Sequence, residues 1–196
     1  MNIEKLEIRL REAKEHYLAI RSSAESAIVS TEWSTGQLYD TEPFEVFRAG
    51  EEYGKRISST PKRTNKKYCY GFDRQGQIVV RRQGVEFVGQ FYEEFFEYHK
   101  NRIDSVYYGS TALKEVLSVK SRVVDNGLVR TVFVVGRFGS RIEHMKYVDG
   151  QLVAIDVDQI GGVRFQTVIS YGNQKTVIAI QNVFPNGRLD QLYPPE

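Results

Sequence analysis

The sequence is poor in sulfur-containing residues and has no long apolar run. Its 196 residues include one cysteine, Cys69, together with two methionines and one tryptophan. A single cysteine excludes an intrachain disulfide framework and a zinc site built from several cysteines, and it is typical of a reducing compartment. No run of about 18 apolar residues is present, so no helix is expected to cross a membrane. The first 16 residues mix acids and bases, unlike a secretory signal. We therefore expect a cytoplasmic protein without a membrane partner.

Aromatic residues are plentiful and favour a sheet-rich fold. The chain has 12 tyrosines and 11 phenylalanines, and 41% of its residues are hydrophobic. Aromatic and β-branched side chains suit the pleated surface of a sheet. The length is typical of one domain, so we predict a single domain that spans residues 1–196.

The N-terminal segment carries one apolar stripe with helical spacing. Steps of three and four residues connect the members of the stripe, and the positions between them are mostly charged or polar: Ile3, Leu6, Leu10, Ala13, Tyr17, Ile20, Ala24 and Ala27. This pattern predicts one long helix over residues 1–28 that packs one side against the rest of the protein.

A repeat of about 25 residues organises the chain after Tyr68. Similar turns recur as FDRQGQI, YHKNRI, VDNGL, YVDGQL and YGNQKTV, and the aliphatic residue that starts the next strand recurs every 24 or 25 residues: Ile78, Ile103, Leu128, Leu152 and Val177. This length fits two strands and two turns. The pattern predicts an antiparallel up-and-down meander with turns near Gly76, Asn101, Gly127, Gly150 and Asn173.

These patterns together predict a mainly β, α+β fold. Residues 1–28 form the helix, residues 29–67 form an irregular segment that contains a basic loop at residues 54–67, and residues 68–193 form a meander of about ten strands from hairpin repeats. The helix is expected to cover one face of the sheet.

The turn signature in residues 68–193 resembles the YD-repeat family, in which an aromatic residue, an Asp-containing turn with glycine and an aliphatic residue recur. YHKNRI lacks the glycine and YGNQKTV lacks the aspartate. Sheets of this type occur in bacterial surface and toxin-shell proteins, and similar small meanders occur among immunity proteins of polymorphic toxin systems. The resemblance implies a compact bacterial immunity protein that binds a cognate protein toxin.

The residues that most often perform catalysis are few and scattered. The three histidines, His16, His99 and His144, form no HxH or HxxxH pair. Glu93 and Glu94 would point to opposite faces of a strand, which excludes a carboxylate pair. No glycine-rich phosphate loop is present. We therefore predict no enzymatic activity, no catalytic residue, no metal site and no cofactor.

A basic block beside aromatic residues is the strongest candidate binding surface. Residues 54–82 hold nine bases and one acid, and an aromatic–acidic segment follows at residues 91–98. The proposed partner-binding residues are Lys66, Lys67, Tyr68, Tyr70, Arg81, Arg82, Tyr92, Glu94, Phe96 and Tyr98. Tyrosine and arginine dominate many protein interfaces, and basic–aromatic surfaces also bind single-stranded nucleic acid. A hairpin with a buried aromatic side would give the same pattern. A protein partner, namely the toxin, is preferred over nucleic acid, and the oligomeric state stays open.

Overall fold

The structure is a computed structural model that describes residues 2–87 and 89–194. The helices within these residues are α1 (Ile3–Glu15), α2 (Tyr17–Ala27) and α3 (Glu45–Arg48), and a single 3-10 turn covers Asn173–Lys175. The strands are β1 (Ser30–Ser34), β2 (Arg56–Ile57), β3 (Tyr68–Phe72), β4 (Ile78–Gly84), β5 (Phe91–His99), β6 (Arg102–Ser110), β7 (Val116–Asp125), β8 (Leu128–Gly136), β9 (Gly139–Val148), β10 (Gln151–Gln159), β11 (Arg164–Tyr171), β12 (Val177–Val183) and β13 (Leu189–Tyr193).

All described strands form one open antiparallel sheet. From β3 to β13 every strand pairs with its neighbours in sequence, as the repeat predicts, while β1 pairs with β3 and β2 pairs with β1 at one edge. The mainly β meander is therefore confirmed, but the sheet has 13 strands and not about ten. The difference arises partly in residues 29–67, where β1 has the sequence STEWS, with too few apolar residues to mark a strand.

The hairpin turns explain why the chain reverses direction at these positions of the sheet. Asn126 and Gly127 both have positive φ angles, and so do Asp149 and Gly150. Two-residue turns of this kind match the twist of the flanking strands, and Asn-Gly and Asp-Gly adopt them with little strain. The predicted turns at these two positions are confirmed.

The ten connections between β3 and β13 alternate between two ends of the sheet. We call one end the loop end; its connections are residues 85–90, 111–115, 137–138, 160–163 and 184–188. We call the opposite end the turn end; its connections are residues 73–77, 100–101, 126–127, 149–150 and 172–176.

The prediction of one long N-terminal helix is wrong, because the helix breaks at His16. This residue has φ −110° and ψ 17°, outside the helical range, and it separates α1 from α2. The two halves pack on different strands: α1 lies on β7 and β8, whereas α2 lies on β4 and β5. A straight rod cannot follow a twisted sheet over this width, so the break keeps both halves in contact with it.

The apolar stripe of α1 and α2 nevertheless forms the core on one face of the sheet. Leu6, Ala13 and Tyr17 are buried against the sheet in one cluster that includes Phe95 and Tyr108. The hydroxyl of Tyr108 donates to the carbonyl of Ala13 at 2.8 Å. The helices thus cover one face of the sheet, as predicted.

The other face of the sheet is concave and holds residues 35–55, which we call the inner segment. Its ends meet where Thr35 N donates to the carbonyl of Lys55 at 3.0 Å. Within it, Glu45 contacts Arg81 of β4 at 2.8 Å, and Phe47 stacks on Tyr193 of β13 with ring centroids 4.2 Å apart. Strands β4 and β13 are nine spacings apart in the sheet order. In a flat sheet that would be about 43 Å, so the sheet curls around the inner segment.

None of the helices in the described part of the chain combines the length and the apolar character needed to span a membrane.

Two leucines of the N-terminal helices give a matched test of this packing. Leu6 is fully buried, whereas Leu18 is 67% exposed. We expect Leu6→Ala to lower the free energy of unfolding by about 2–5 kcal/mol, because it leaves a cavity under α1. Leu18→Ala should change it by no more than about 0.5 kcal/mol. Urea unfolding followed by circular dichroism measures both values, and equal effects would contradict the assigned helix face.

Candidate functional site: the concave face and the loop end

The structure buries most aromatic residues that the sequence proposes for partner binding. Tyr70 and Phe96 are 0% and 4% exposed, and Tyr68 is also buried. The ring of Tyr70 lies against Tyr39 of the inner segment, with centroids 5.0 Å apart. Tyr98 is half-buried, and its hydroxyl donates to a backbone carbonyl at 3.1 Å. The inner segment covers this face, so the burial of Tyr68 and Tyr70 agrees with the alternative of a hairpin with a buried aromatic side, and Phe96 is buried in the same cluster.

The charged residues proposed for the same surface are ion-paired within the protein. Arg81 contacts Glu94 across the β4–β5 pair, and Glu94 is 2% exposed. On the opposite face, Arg82 Nε donates to Glu93 Oε1 at 2.7 Å. Glu93 and Glu94 point to opposite faces, as predicted. The positive charge of the basic block is thus partly neutralised, so Arg81, Arg82 and Glu94 are unsuited to a free partner surface.

Lys66 and Tyr92 are the proposed residues that the structure leaves exposed. Lys66 is exposed, Lys67 is half-buried and Tyr92 is 37% exposed. The backbone at Lys66 is tied to the end of β4, because its N–H donates to the carbonyl of Gly84 at 2.9 Å. A Cβ at Gly84 would lie 1.8 Å from the carbonyl oxygen of Thr64, so only glycine permits this approach. The basic loop is therefore held beside the loop end.

A network of nine charged side chains fills the space between the inner segment and the concave face. Lys120 Nζ and Arg122 Nη2 lie 2.8 and 3.0 Å from Glu42 Oε1. Arg48 Nη2 lies 2.6 Å from Glu143 Oε2, which joins the inner segment to β9. The members are four carboxylates and five cations: Glu42, Glu45, Glu94, Glu143, Arg48, Arg81, Lys120, Arg122 and Arg141.

The pKa shifts in this network keep its carboxylates ionised. Burial by itself disfavours the charge on Glu94, but the guanidiniums of Arg81 and Arg122 outweigh burial and lower its pKa from 4.5 to about 2. Burial likewise opposes ionisation of Glu42, and the nearby charges of Lys120 and Arg122 lower its pKa well below the ordinary range. The pKa values of Glu45 and Glu143 are lowered in the same way, so the four carboxylates of the network are ionised at neutral pH.

Hydrogen-bond donors are in excess in the same network. Three buried nitrogens have no hydrogen-bond partner among the described residues: Nη1 of Arg48, Nη1 of Arg81 and Nε of Arg122. The described residues contain no buried carboxylate oxygen in that condition. Unpartnered buried donors cost free energy, so the concave face favours additional oxygen acceptors over additional donors.

Three neighbouring cavities on the concave face share lining residues. The largest, about 480 Å³, is lined by Lys120, Arg141, glycines and a mixture of apolar and uncharged polar side chains, with no carboxylate among its lining residues. A second cavity of about 320 Å³ shares Lys120 and Arg141 and reaches Glu42, Glu143 and Arg48. A third of about 200 Å³ shares Lys120 and reaches Tyr92. Lys120 therefore stands where the three cavities meet.

Exposed apolar side chains surround the loop end, and we call them the apolar rim. All are at least half exposed, and they come from or directly follow each of the five loop-end connections: Phe87, Leu113, Phe138, Ile160, Val163 and Leu189. The most exposed is Phe138, at 93%. The turn-end connections contain only polar residues and glycine. Sequence reasoning missed the rim, although a phenylalanine inside the two-residue connection Arg137–Phe138 is a visible signal.

The remaining titratable clusters have structural explanations. Ligand atoms of Glu97, His99 and Asp104 lie within 4.8 Å of one another. However, Arg9 from α1 contacts both carboxylates, at 2.7 and 2.8 Å, and Arg102 contacts Asp104 at 3.0 Å. These guanidiniums already supply the compensating positive charge. Burial raises the pKa of the Cys69 thiol, against a smaller effect of Arg82, so this cysteine is not an activated nucleophile.

The network predicts a strong and pH-dependent effect of one carboxylate. We expect Glu94→Gln to lower the free energy of unfolding at pH 7 by about 3–5 kcal/mol, because it leaves Arg81 and Arg122 buried with fewer partners. The folded pKa lies below the ordinary value, so these ion pairs contribute stability above pH 4.5 and lose it as the pH falls toward 2. Urea unfolding between pH 7 and pH 2 measures both effects.

Glu115→Gln is the matched control for that experiment. Glu115 pairs with Arg137 at 2.9 Å, but the two side chains are 44% and 56% exposed. Removing this surface pair should cost less than about 1 kcal/mol. The buried network does not hold the inner segment if Glu94→Gln lowers the free energy of unfolding no more than Glu115→Gln does. The same conclusion follows if the stability of the Glu94→Gln variant falls with decreasing pH as much as that of the wild type.

Comparisons with known proteins place the chain in no family. No family model matches it, and no curated protein is similar to it. Among solved structures, it resembles a porin-like protein from Bacteroides uniformis with 12% sequence identity and a TM-score of 0.45, over 84% of this chain and 58% of that chain. The chain thus spans less than two thirds of that protein, and a similarity of this strength carries no conclusion about function.

Proposed function

We propose that this protein binds another protein through the loop end of its sheet, and that the partner is a cognate bacterial toxin whose active surface it covers. The observation that carries the proposal is the apolar rim, which supplies an exposed apolar side chain at every loop-end connection. Exposed apolar patches mark interaction sites in soluble proteins, and the rim places six exposed apolar side chains at one end of the sheet. The toxin as partner rests on the resemblance of the turns to the YD-repeat family.

The dimensions of the rim suit a protein partner. Successive loop-end connections are two strands apart, which is about 9.6 Å along the sheet. Five connections therefore form an arc of about 38 Å before curling is considered, wide enough for an interface of standard size. The rim side chains stand on short connections between paired strands, so little conformational entropy is lost when they are buried.

Charge complementarity favours an acidic surface on the partner. The basic loop holds Lys62, Arg63 and Lys66 as exposed side chains, and its contact with Gly84 places it next to the rim. Exposed charges at the edge of an interface mainly accelerate association and select against partners of like charge. The proposal therefore combines apolar contacts from the rim with electrostatic attraction from the basic loop.

We also propose that the protein acts without catalysis and in the cytoplasm. The histidines lie apart, with His16 between two helices, His99 beside Asp104 and His144 next to Thr131. No two of them share a cleft with a nucleophile among the described residues, as a proton-transfer site would need. The single buried cysteine suits a reducing compartment.

The rim proposal predicts which exposed residues affect binding. The purified product of the neighbouring reading frame is the probe, and isothermal titration measures its affinity. We expect Phe138→Ser to weaken binding by about 2 kcal/mol or more if it is a central anchor, which is a loss of about 30-fold. Val148→Ser is the matched control, because Val148 is 57% exposed at the turn end. It should leave the affinity unchanged.

A single-stranded RNA titration separates the two candidate partners. Binding to nucleic acid through the basic loop would weaken steeply with salt, with a log–log slope of about −0.7 for each phosphate neutralised. We expect no measurable RNA binding at either 50 or 200 mM salt. Tight, salt-dependent RNA binding that survives Phe138→Ser would contradict the proposal, and so would a neighbouring product that binds both variants equally.

A further inference from the structure

The largest cavity combines two cations with an apolar wall. Its volume is about 480 Å³, within the range of small-molecule sites. Lys120 and Arg141 supply its charge. The other lining residues are glycines, the apolar Leu117, Val134, Phe138 and Ile160, and the uncharged polar Tyr107, Ser118, Ser140 and Gln159. Because no carboxylate is among the lining residues, an anion would meet attraction there without direct repulsion.

The hydrogen bonds of the two cations leave donors available on the cavity side. Lys120 donates to Glu42, and Arg141 donates through Nε to Glu143 at 2.6 Å. Both carboxylates line the neighbouring cavity and not this one. An ammonium group has three N–H donors and a guanidinium has five. The two amino groups of Arg141 make no hydrogen bond with the described residues, so each cation can still bind an oxygen acceptor.

The positions of the two cations bring them to the same place on the concave face. Lys120 of β7 is opposite Val134 of β8, and Val134 is opposite Arg141 of β9. Residues aligned across adjacent strands share one face of the sheet. Lys120 and Arg141 therefore flank an apolar residue between them, a pattern that suits an anionic head next to an apolar tail.

We propose that this cavity binds a carboxylate attached to an apolar group. The donors of Lys120 and Arg141 that remain without a partner at this cavity favour a ligand that brings oxygen acceptors and negative charge. The carboxylate can come from a free aliphatic acid, or from an acidic side chain between apolar residues of a bound protein. The second source rests on the proposed function, since Phe138 and Ile160 belong both to the cavity wall and to the apolar rim.

Three small ligands with the same tail test the head-group preference. Isothermal titration of the full-length protein uses hexanoate, hexan-1-ol and hexylamine at constant ionic strength. We expect hexanoate to bind at least tenfold more tightly than either of the others, because only the carboxylate brings a negative charge to the two cations as well as accepting their hydrogen bonds. Hexylamine that binds as tightly as hexanoate, or no hexanoate binding at 10 mM, would overturn the proposal.

Variants of the lining cation identify the site. Lys120→Met should weaken the binding of hexanoate about tenfold or more. Lys146→Met is the matched control, because Lys146 pairs with Asp156 on the opposite face of the sheet and is 52% exposed. Glu42→Gln should tighten hexanoate binding, since it releases Lys120 from its partner. A damaged fold does not produce tighter binding, so an unchanged affinity in both Lys120→Met and Glu42→Gln would contradict the site.

A peptide pair distinguishes the two sources of the carboxylate. The peptides are acetyl-Leu-Glu-Leu-amide and acetyl-Leu-Gln-Leu-amide, which differ only in one charge. Binding of the glutamate peptide alone assigns the site to an acidic residue of a partner, whereas binding of hexanoate without either peptide assigns it to a free acid. Leu113→Ser changes the rim outside this cavity. It should weaken binding of the protein partner and leave the affinity for hexanoate unchanged. The two measurements therefore separate a failure of this site from a failure of the proposed function.

Discussion

The buried ion pairs between the inner segment and the sheet determine the shape of the molecule. Arg48 reaches Glu143 of β9, Glu42 reaches Lys120 of β7, and Glu45 reaches Arg81 of β4. These contacts draw strands that are far apart in the sheet order toward one short segment. Replacing one partner leaves a buried charge without compensation, which is costly. The curl of the sheet, its cavities and the arrangement of the loop end all depend on these pairs.

The two faces of the sheet are stabilised by different means. The helices bury apolar side chains and Tyr17 against one face, where the tyrosine hydroxyl donates to Glu93 at 2.6 Å. The opposite face joins an ionic network at its centre to an apolar cluster around Val132, Ile155 and Ile180. Strand β8 contributes apolar side chains to both faces of the sheet, because Val132 and Val134 face the inner segment whereas Val135 faces the helices. Its apolar residues on both faces follow from this position.

The sequence predicts those features that depend on local chemistry. Asn-Gly and Asp-Gly turns specify the hairpins, and the spacing of Leu6, Ala13 and Tyr17 specifies the buried side of the helices. The break at His16 has no proline or glycine to signal it, since it follows from the twist of a sheet formed later in the chain. The pairing of the charged residues proposed for partner binding cannot be read from the sequence for a related reason. Arg81 and Glu94 look available in sequence, but each is paired with a residue that only the register and the inner segment bring close.

The strand order also has a consequence for how the chain folds. Each strand from β3 to β13 pairs with its sequence neighbours. Most of the sheet can therefore form one hairpin at a time, and each step loses little loop-closure entropy. Such local topologies fold faster than those that depend on distant pairings. The inner segment is the exception, because Arg48 must find Glu143, 95 residues away. Formation of the sheet and docking of the inner segment are thus separate steps of folding. The concave face stays open to solvent until the inner segment has docked.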